Sequence, residues 1–193
     1  MRHALARLLA LVAIPALLSA HEGHGPIDLG HGFFHPFVGW DHLLAMVAVG
    51  LLAAQCGGRA RWLLPVAFVG GLTGGALVGL AAPGVFTGID HLVAGTLVLL
   101  GLAVASRWSQ SLPVLVPMVA ICAAGHGLAH GIEVPAGASS SLYLVGMVLA
   151  SALLHGAGLL VALNTRQQAW LVRSAGGGVA VAGLALLVGM AHG

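Results

Sequence analysis

Six apolar runs, parted by short polar breaks, constrain this chain more than any other feature in it. They fall near 36–54, 61–82, 87–106, 112–131, 140–163 and 171–191. Each is close to the roughly 20 residues that a helix needs to cross the hydrocarbon core of a bilayer. This predicts an all-α membrane protein with six transmembrane helices. The charge count agrees, because only 6% of residues are charged, against about 25% in a soluble domain whose surface must face water. Lysine is absent, and seven arginines are set against five acids. Hydrophobic residues make up 59% of the chain and the mean hydropathy is +1.04. The partner expected of such a surface is the lipid bilayer. A formal charge of +2 carries no sign of a nucleic-acid partner. Cys56 and Cys122 are too few for a disulfide framework, and neither lies in a CxxC pair. The spans leave no room for a separate soluble domain.

The first 20 residues read differently. Arg2 and Arg7 precede a short apolar stretch, Leu8 to Leu18, and Ser19-Ala20 closes it. This is the pattern of a cleavable signal peptide, although a retained anchor helix would look similar. The expected organisation is a signal peptide over 1–20, an extracytoplasmic histidine-containing segment over 21–35 and a six-helix domain over 36–193. Arg59 and Arg61 fall between spans one and two, Arg107 between three and four, and Arg166 and Arg173 between five and six. The opposite loops hold Glu22, Asp28 and Glu133 and no arginine. The positive-inside rule places the arginines in the cytoplasm. The expected location is therefore a bacterial-type inner membrane, multi-pass, with both termini extracytoplasmic. Several glycines sit at small-xxx-small spacing, Gly70 with Gly74 and Gly71 with Gly75, which signals close helix packing in lipid.

Ionisable residues in or beside spans are costly and by default mark function. One group is His35-Pro36-Phe37-Val38-Gly39-Trp40-Asp41-His42, leading into span one. Pro36 suits the first turn of a helix, and on that helix His35 and His42 would share a face. Taken singly, His35 or Asp41 could simply cap the helix. A second group, Asp90-His91, opens span three. There Gly88-Ile89-Asp90-His91-Leu92-Val93-Ala94 echoes Gly39-Trp40-Asp41-His42-Leu43-Leu44-Ala45, 49 residues earlier. An ancestral two-helix repeat would explain the echo, while Asp90 alone is also a good N-cap. The third group ends span four. His126 and His130 are i,i+4 and Glu133 is three residues further on, which puts two imidazoles and a carboxylate on one helix stripe. A wet, fraying helix end would look much the same.

The topology brings all three groups to the outer half of the membrane. Imidazole and carboxylate with almost no thiol suit Ni²⁺, Co²⁺, Zn²⁺ or Cu²⁺ better than Cu(I). Candidate metal ligands are thus His35, Asp41, His42, Asp90, His91, His126, His130 and Glu133. His155 lies deeper, in span five, and is either an inner relay for the ion or a core histidine. His21 and His24 collect metal at the entrance or belong to a tail. The scattered Met46, Met118, Met147 and Met190 read as packing.

The H-P-F-x-G-x-D-H-L-L-A-M segment at 35–46 and the H-G-x-A-H-G-x-E segment at 126–133 resemble the HupE/UreJ family. The resemblance extends to the leader, the length and the number of spans. It implies a nickel or cobalt permease, with His35, Asp41 and His42 in the motif associated with metal. The expected function is uptake of a divalent metal ion driven by the membrane potential, with no enzymatic activity and no organic cofactor. The alternatives are a membrane metal sensor or chaperone, or a metalloenzyme with a zinc or haem site. A haem cytochrome would use paired histidines, against which the neighbouring carboxylates count. A zinc hydrolase would need an open metal position and a base such as Glu133, and nothing in the sequence marks a substrate pocket.

Overall fold

The computed structural model describes residues 27–84, 86–106, 111–134, 139–165 and 168–192. The signal-peptide reading, His21, His24, Arg107 and Arg166 lie outside them. Seven helices follow in order: α1 (Ile27–Val38), α2 (Trp40–Cys56), α3 (Ala60–Ala81), α4 (Ile89–Ala105), α5 (Leu112–Ile132), α6 (Ser140–Asn164) and α7 (Ala169–His192). Each of α3 to α7 matches an expected span to within about two residues.

The exception is span one. Expected as one helix from residue 36, it is two, with α1 and α2 meeting at an angle of 83°. The backbone turns on Gly39, which is extended (φ −78°, ψ 106°). The Gly39 N–H still donates to the His35 carbonyl and the Leu43 N–H to the Gly39 carbonyl, so the corner leaves neither of those groups orphaned. Pro36 therefore sits near the end of α1 rather than in the first turn of a span. Part of the expected extracytoplasmic segment is helix α1 itself, packed on α6.

By length and hydropathy α3, α5, α6 and α7 can each cross a membrane, and the bent pair α1–α2 passes the same test jointly. The 17 residues of α4 are apolar but shorter. Outward-facing Val66, Ile121, Leu153 and Val181 are each more than half exposed. An apolar surface of this kind is what lipid contact requires and what water disfavours.

The bundle is held by intimate helix pairs, chiefly α3 on α5, α4 on α7, and α1 and α2 on α6. Glycine makes the first possible. A Cβ on Gly71, Gly75, Gly127 or Gly131 would run into the backbone of the facing helix, whereas Gly70 and Gly74 face open space. Of the two glycine pairs expected to pack, only Gly71 with Gly75 does so. Met46 and Met147 are core packing, as expected. Cys56 and Cys122 are free thiols.

The arginines described gather at one end of the bundle. Arg173 donates from Nε to the Ala105 carbonyl at 2.9 Å, closing the end of α4. Arg61 lines a small cavity there with Ala54, Gln55, Ala162 and Val172.

Candidate metal centre

At the opposite end, four side chains from three helices meet. His35 comes from α1, His42 from the first turn of α2, and His130 and Glu133 from the last turn and C-cap of α5. One ligand atom from each lies within 4.8 Å of all the others. The corner at Gly39 makes this possible. On a straight helix His35 and His42 would stand about 10.5 Å apart along the axis, seven residues at a rise of 1.5 Å. Bent by 83° at the corner, the chain sets their rings 5.8 Å apart, centre to centre. The α5 stripe then supplies the rest, because His130 and Glu133 at i,i+3 project together from the helix end.

The three imidazoles crowd one another. The His42 and His130 ring centres are 4.0 Å apart, and those of His35 and His130 4.8 Å. His130 is fully buried, and neither of its ring nitrogens has a hydrogen-bond partner among the described residues. Burying a polar group without a partner is costly, and this ring could take a ligand through either nitrogen. The hydroxyl of Tyr143, whose ring lies 5.9 Å from that of His35, is likewise buried and unpartnered. Glu133 Oε2 lies 3.2 Å from His35 Nε2 and 3.9 Å from His130 Nδ1. The hydrogen bond from His35 holds the Glu133 carboxyl below its ordinary range, against the partial burial that pushes it up. The group therefore offers three imidazoles and one ionised carboxylate, a donor set for a borderline divalent ion.

The other expected ligands take different places. Asp41 sits at the margin, where Oδ1 accepts the His42 backbone N–H at 2.9 Å and stands 3.9 Å from His42 Nε2. His126 is one turn further inside, with Nδ1 2.9 Å from His42 Nδ1 and Nε2 3.0 Å from the Thr96 hydroxyl. Asp90 and His91 lie in the exposed first turn of α4, outside the group. The sequence echo thus gives two Asp-His pairs at helix starts, of which one histidine is buried and the other is not. His155 is buried deeper in the bundle, its ring 4.8 Å from Phe68, and both its nitrogens lack partners among the described residues. Phe68 in turn faces His126 at 6.2 Å. An interrupted column of rings therefore runs inward from the cluster. Sequence reasoning passed over Thr96, Phe68 and Tyr143. A threonine in the middle of an apolar run was the one signal available for the first.

The comparisons with known proteins place the chain in a family. The family model described as HupE / UreJ protein matches residues 9–186. The chain is 43% identical over 186 residues to Protein HupE of Rhizobium leguminosarum bv. viciae, covering 94% of this chain and 95% of that protein. No solved structure matches the chain. A match over nearly the whole length, to the family model and to a relative alike, identifies the chain as a member of the HupE/UreJ family.

Proposed function

We propose that this protein is an uptake permease for a divalent transition-metal ion, nickel or cobalt, in a bacterial inner membrane. The observation that carries the reading is the convergence of His35, His42, His130 and Glu133 at the end of the bundle remote from the arginines. The family's association with nickel and cobalt supports the choice of metal. In this reading the α1–α2 pair and α4 also cross the membrane, giving six spans after a cleaved signal peptide. The arginine end faces the cytoplasm, as the positive-inside rule requires, and the cluster faces outward.

The cluster strips water from the arriving ion, replacing it with imidazole nitrogens and the Glu133 carboxylate, while Asp41 adds negative charge at the rim. Inward passage follows the column past His126 and Phe68 to His155. Asp90 and His91, exposed on the outer turn of α4, attract the ion before it binds. The membrane potential suffices as the driving force. A divalent cation moving to a negative interior gains about 4.6 kcal/mol per 100 mV, twice the ~2.3 per charge. That amounts to about three decades of accumulation at 1.4 kcal/mol per decade. No chemical step is needed, so the protein is not an enzyme and needs no organic cofactor.

The test is nickel uptake into proteoliposomes under an imposed inside-negative potential, with cobalt, zinc and copper as competitors. Saturable uptake that disappears in His42→Ala is the expected result. Metal bound by the purified protein but never accumulated would make it a sensor or chaperone instead.

A further inference from the structure

Behind the cluster, a chain of hydrogen bonds runs from His42 through His126 and Thr96 to the backbone of α4. We propose that Thr96 and His126 are positioning residues that fix the tautomer of His42, so that its Nε2 presents a lone pair to the metal. The inference rests on the metal-centre reading above and adds to it a device outside the ligand set.

The argument starts from the one proton of the Thr96 hydroxyl. That O–H donates to the Val93 carbonyl at 2.7 Å, the local back-bond that a threonine makes within a helix. With its proton committed there, Thr96 Oγ1 meets His126 Nε2 at 3.0 Å as an acceptor, so His126 Nε2 carries hydrogen. A neutral imidazole has one N–H. His126 is fully buried, and no carboxylate pairs with it among the described residues, which is the setting of a neutral ring, because an unpaired buried charge is costly. Its Nδ1 is therefore a lone pair. The 2.9 Å contact between the two Nδ1 atoms then requires His42 to be the donor. His42 is left with hydrogen on Nδ1 and a lone pair on Nε2, the nitrogen not taken up by His126.

Metal-bound histidines typically donate their second N–H to a partner that fixes ring and tautomer, and loss of that partner costs about 10–100-fold in affinity. Here the partner is a second imidazole, and the chain ends on a backbone carbonyl rather than a carboxylate. The ring is oriented without adding negative charge behind it, so the ion is held less firmly than by a carboxylate-backed histidine. That suits a station which must release its cargo inward. The same geometry explains why His126 stands in the second motif without joining the ligand group, since both its nitrogens are already engaged.

The experiment pairs two measurements on the full-length protein in detergent. Histidine-¹⁵N NMR of the metal-free protein, with His42 and His126 assigned through single substitutions, reads the tautomers directly. Hydrogen on Nδ1 of His42 and on Nε2 of His126 is expected, whereas hydrogen on Nε2 of His42 overturns the proposal. Nickel affinity is then measured by competition with a chromophoric chelator for the wild type, Thr96→Ser and Thr96→Val. Thr96→Ser keeps the hydroxyl and should bind like the wild type. Thr96→Val keeps the shape, loses the acceptor and should bind about 10–100-fold more weakly. Equal binding by Thr96→Val and the wild type overturns the relay. A wild-type protein that binds no nickel would instead refute the metal-centre reading, and the NMR result would still decide the tautomer. The NMR result also decides if Thr96→Val fails to fold.

Discussion

Replacing Gly39 with alanine should weaken metal binding without unfolding the protein. The added Cβ would lie 2.8 Å from Cδ2 of His42 and 3.1 Å from Oδ1 of Asp41. The first distance is about 0.6 Å short of ordinary van der Waals contact, which begins at 3.4 Å. The His42 ring must therefore withdraw by roughly that amount, against a tolerance of about 0.2 Å in metal–ligand distances. It has little room to do so. Its far side is tied to His126 at 2.9 Å, its ring centre is 4.0 Å from that of His130, and it is buried. A loss of about tenfold or more in affinity is expected, the size typical of disturbing a ligand's support. The backbone works in the opposite direction. Gly39 at φ −78°, ψ 106° is in a conformation that alanine adopts freely, and such a change typically stabilises by about 0.4–1 kcal/mol through the unfolded chain. Nickel titration and thermal melting of one purified sample read the two effects separately. An unchanged affinity would mean that His42 is either free to shift or not a ligand.

Three further outcomes follow from the same geometry. Gly75→Leu should strongly destabilise the bundle in a detergent melt, because its Cβ meets the Ala124 backbone of α5, whereas Gly74→Leu, with open space beside it, should not; overpacking typically costs about 1–3 kcal/mol or more. His155→Ala should slow uptake into proteoliposomes without changing metal affinity, since His155 is not in the outer group. Glu133, held below its ordinary value of 4.5 by the His35 hydrogen bond, stabilises the native state fully above that value. Its contribution is lost as the pH falls through the lowered one. Acid melts below pH 4.5 should therefore show a loss of stability that Glu133→Gln lacks, and identical acid limbs would contradict the assignment.

Much of this was legible in the sequence because a bilayer leaves few alternatives to an apolar run of twenty residues. The ends of α3 to α7 followed from the polar breaks between the apolar runs. The three polar groups were legible because an ionisable side chain in such a setting requires a reason. The corner at Gly39 was not. Hydropathy runs straight through it, and glycine in this chain more often marks close packing, as at Gly75, than a turn. Missing the corner put His35 and His42 on one face of one helix, whereas the structure folds the chain so that the two rings meet from two helices. Nor could spacing separate His130 from His126 or His42 from His91. Each pair occupies matching positions in its motif, and only the packing of α4, α5 and α6 decides which ring joins the ligand group. Thr96 was hidden for a simpler reason: one hydroxyl in a largely apolar helix of seventeen residues acquires a role only through the neighbour it meets.

Binding of one divalent ion by His35, His42, His130 and Glu133 can be read from X-ray absorption at the nickel edge. With one equivalent of nickel loaded on the purified protein, a first shell of nitrogen and oxygen at about 2.0–2.2 Å is expected. Outer-shell scattering should correspond to three imidazoles, with one fewer in His130→Ala and no sulfur. A sulfur ligand, or a spectrum unchanged in both His42→Ala and His130→Ala, would place the metal elsewhere and contradict it.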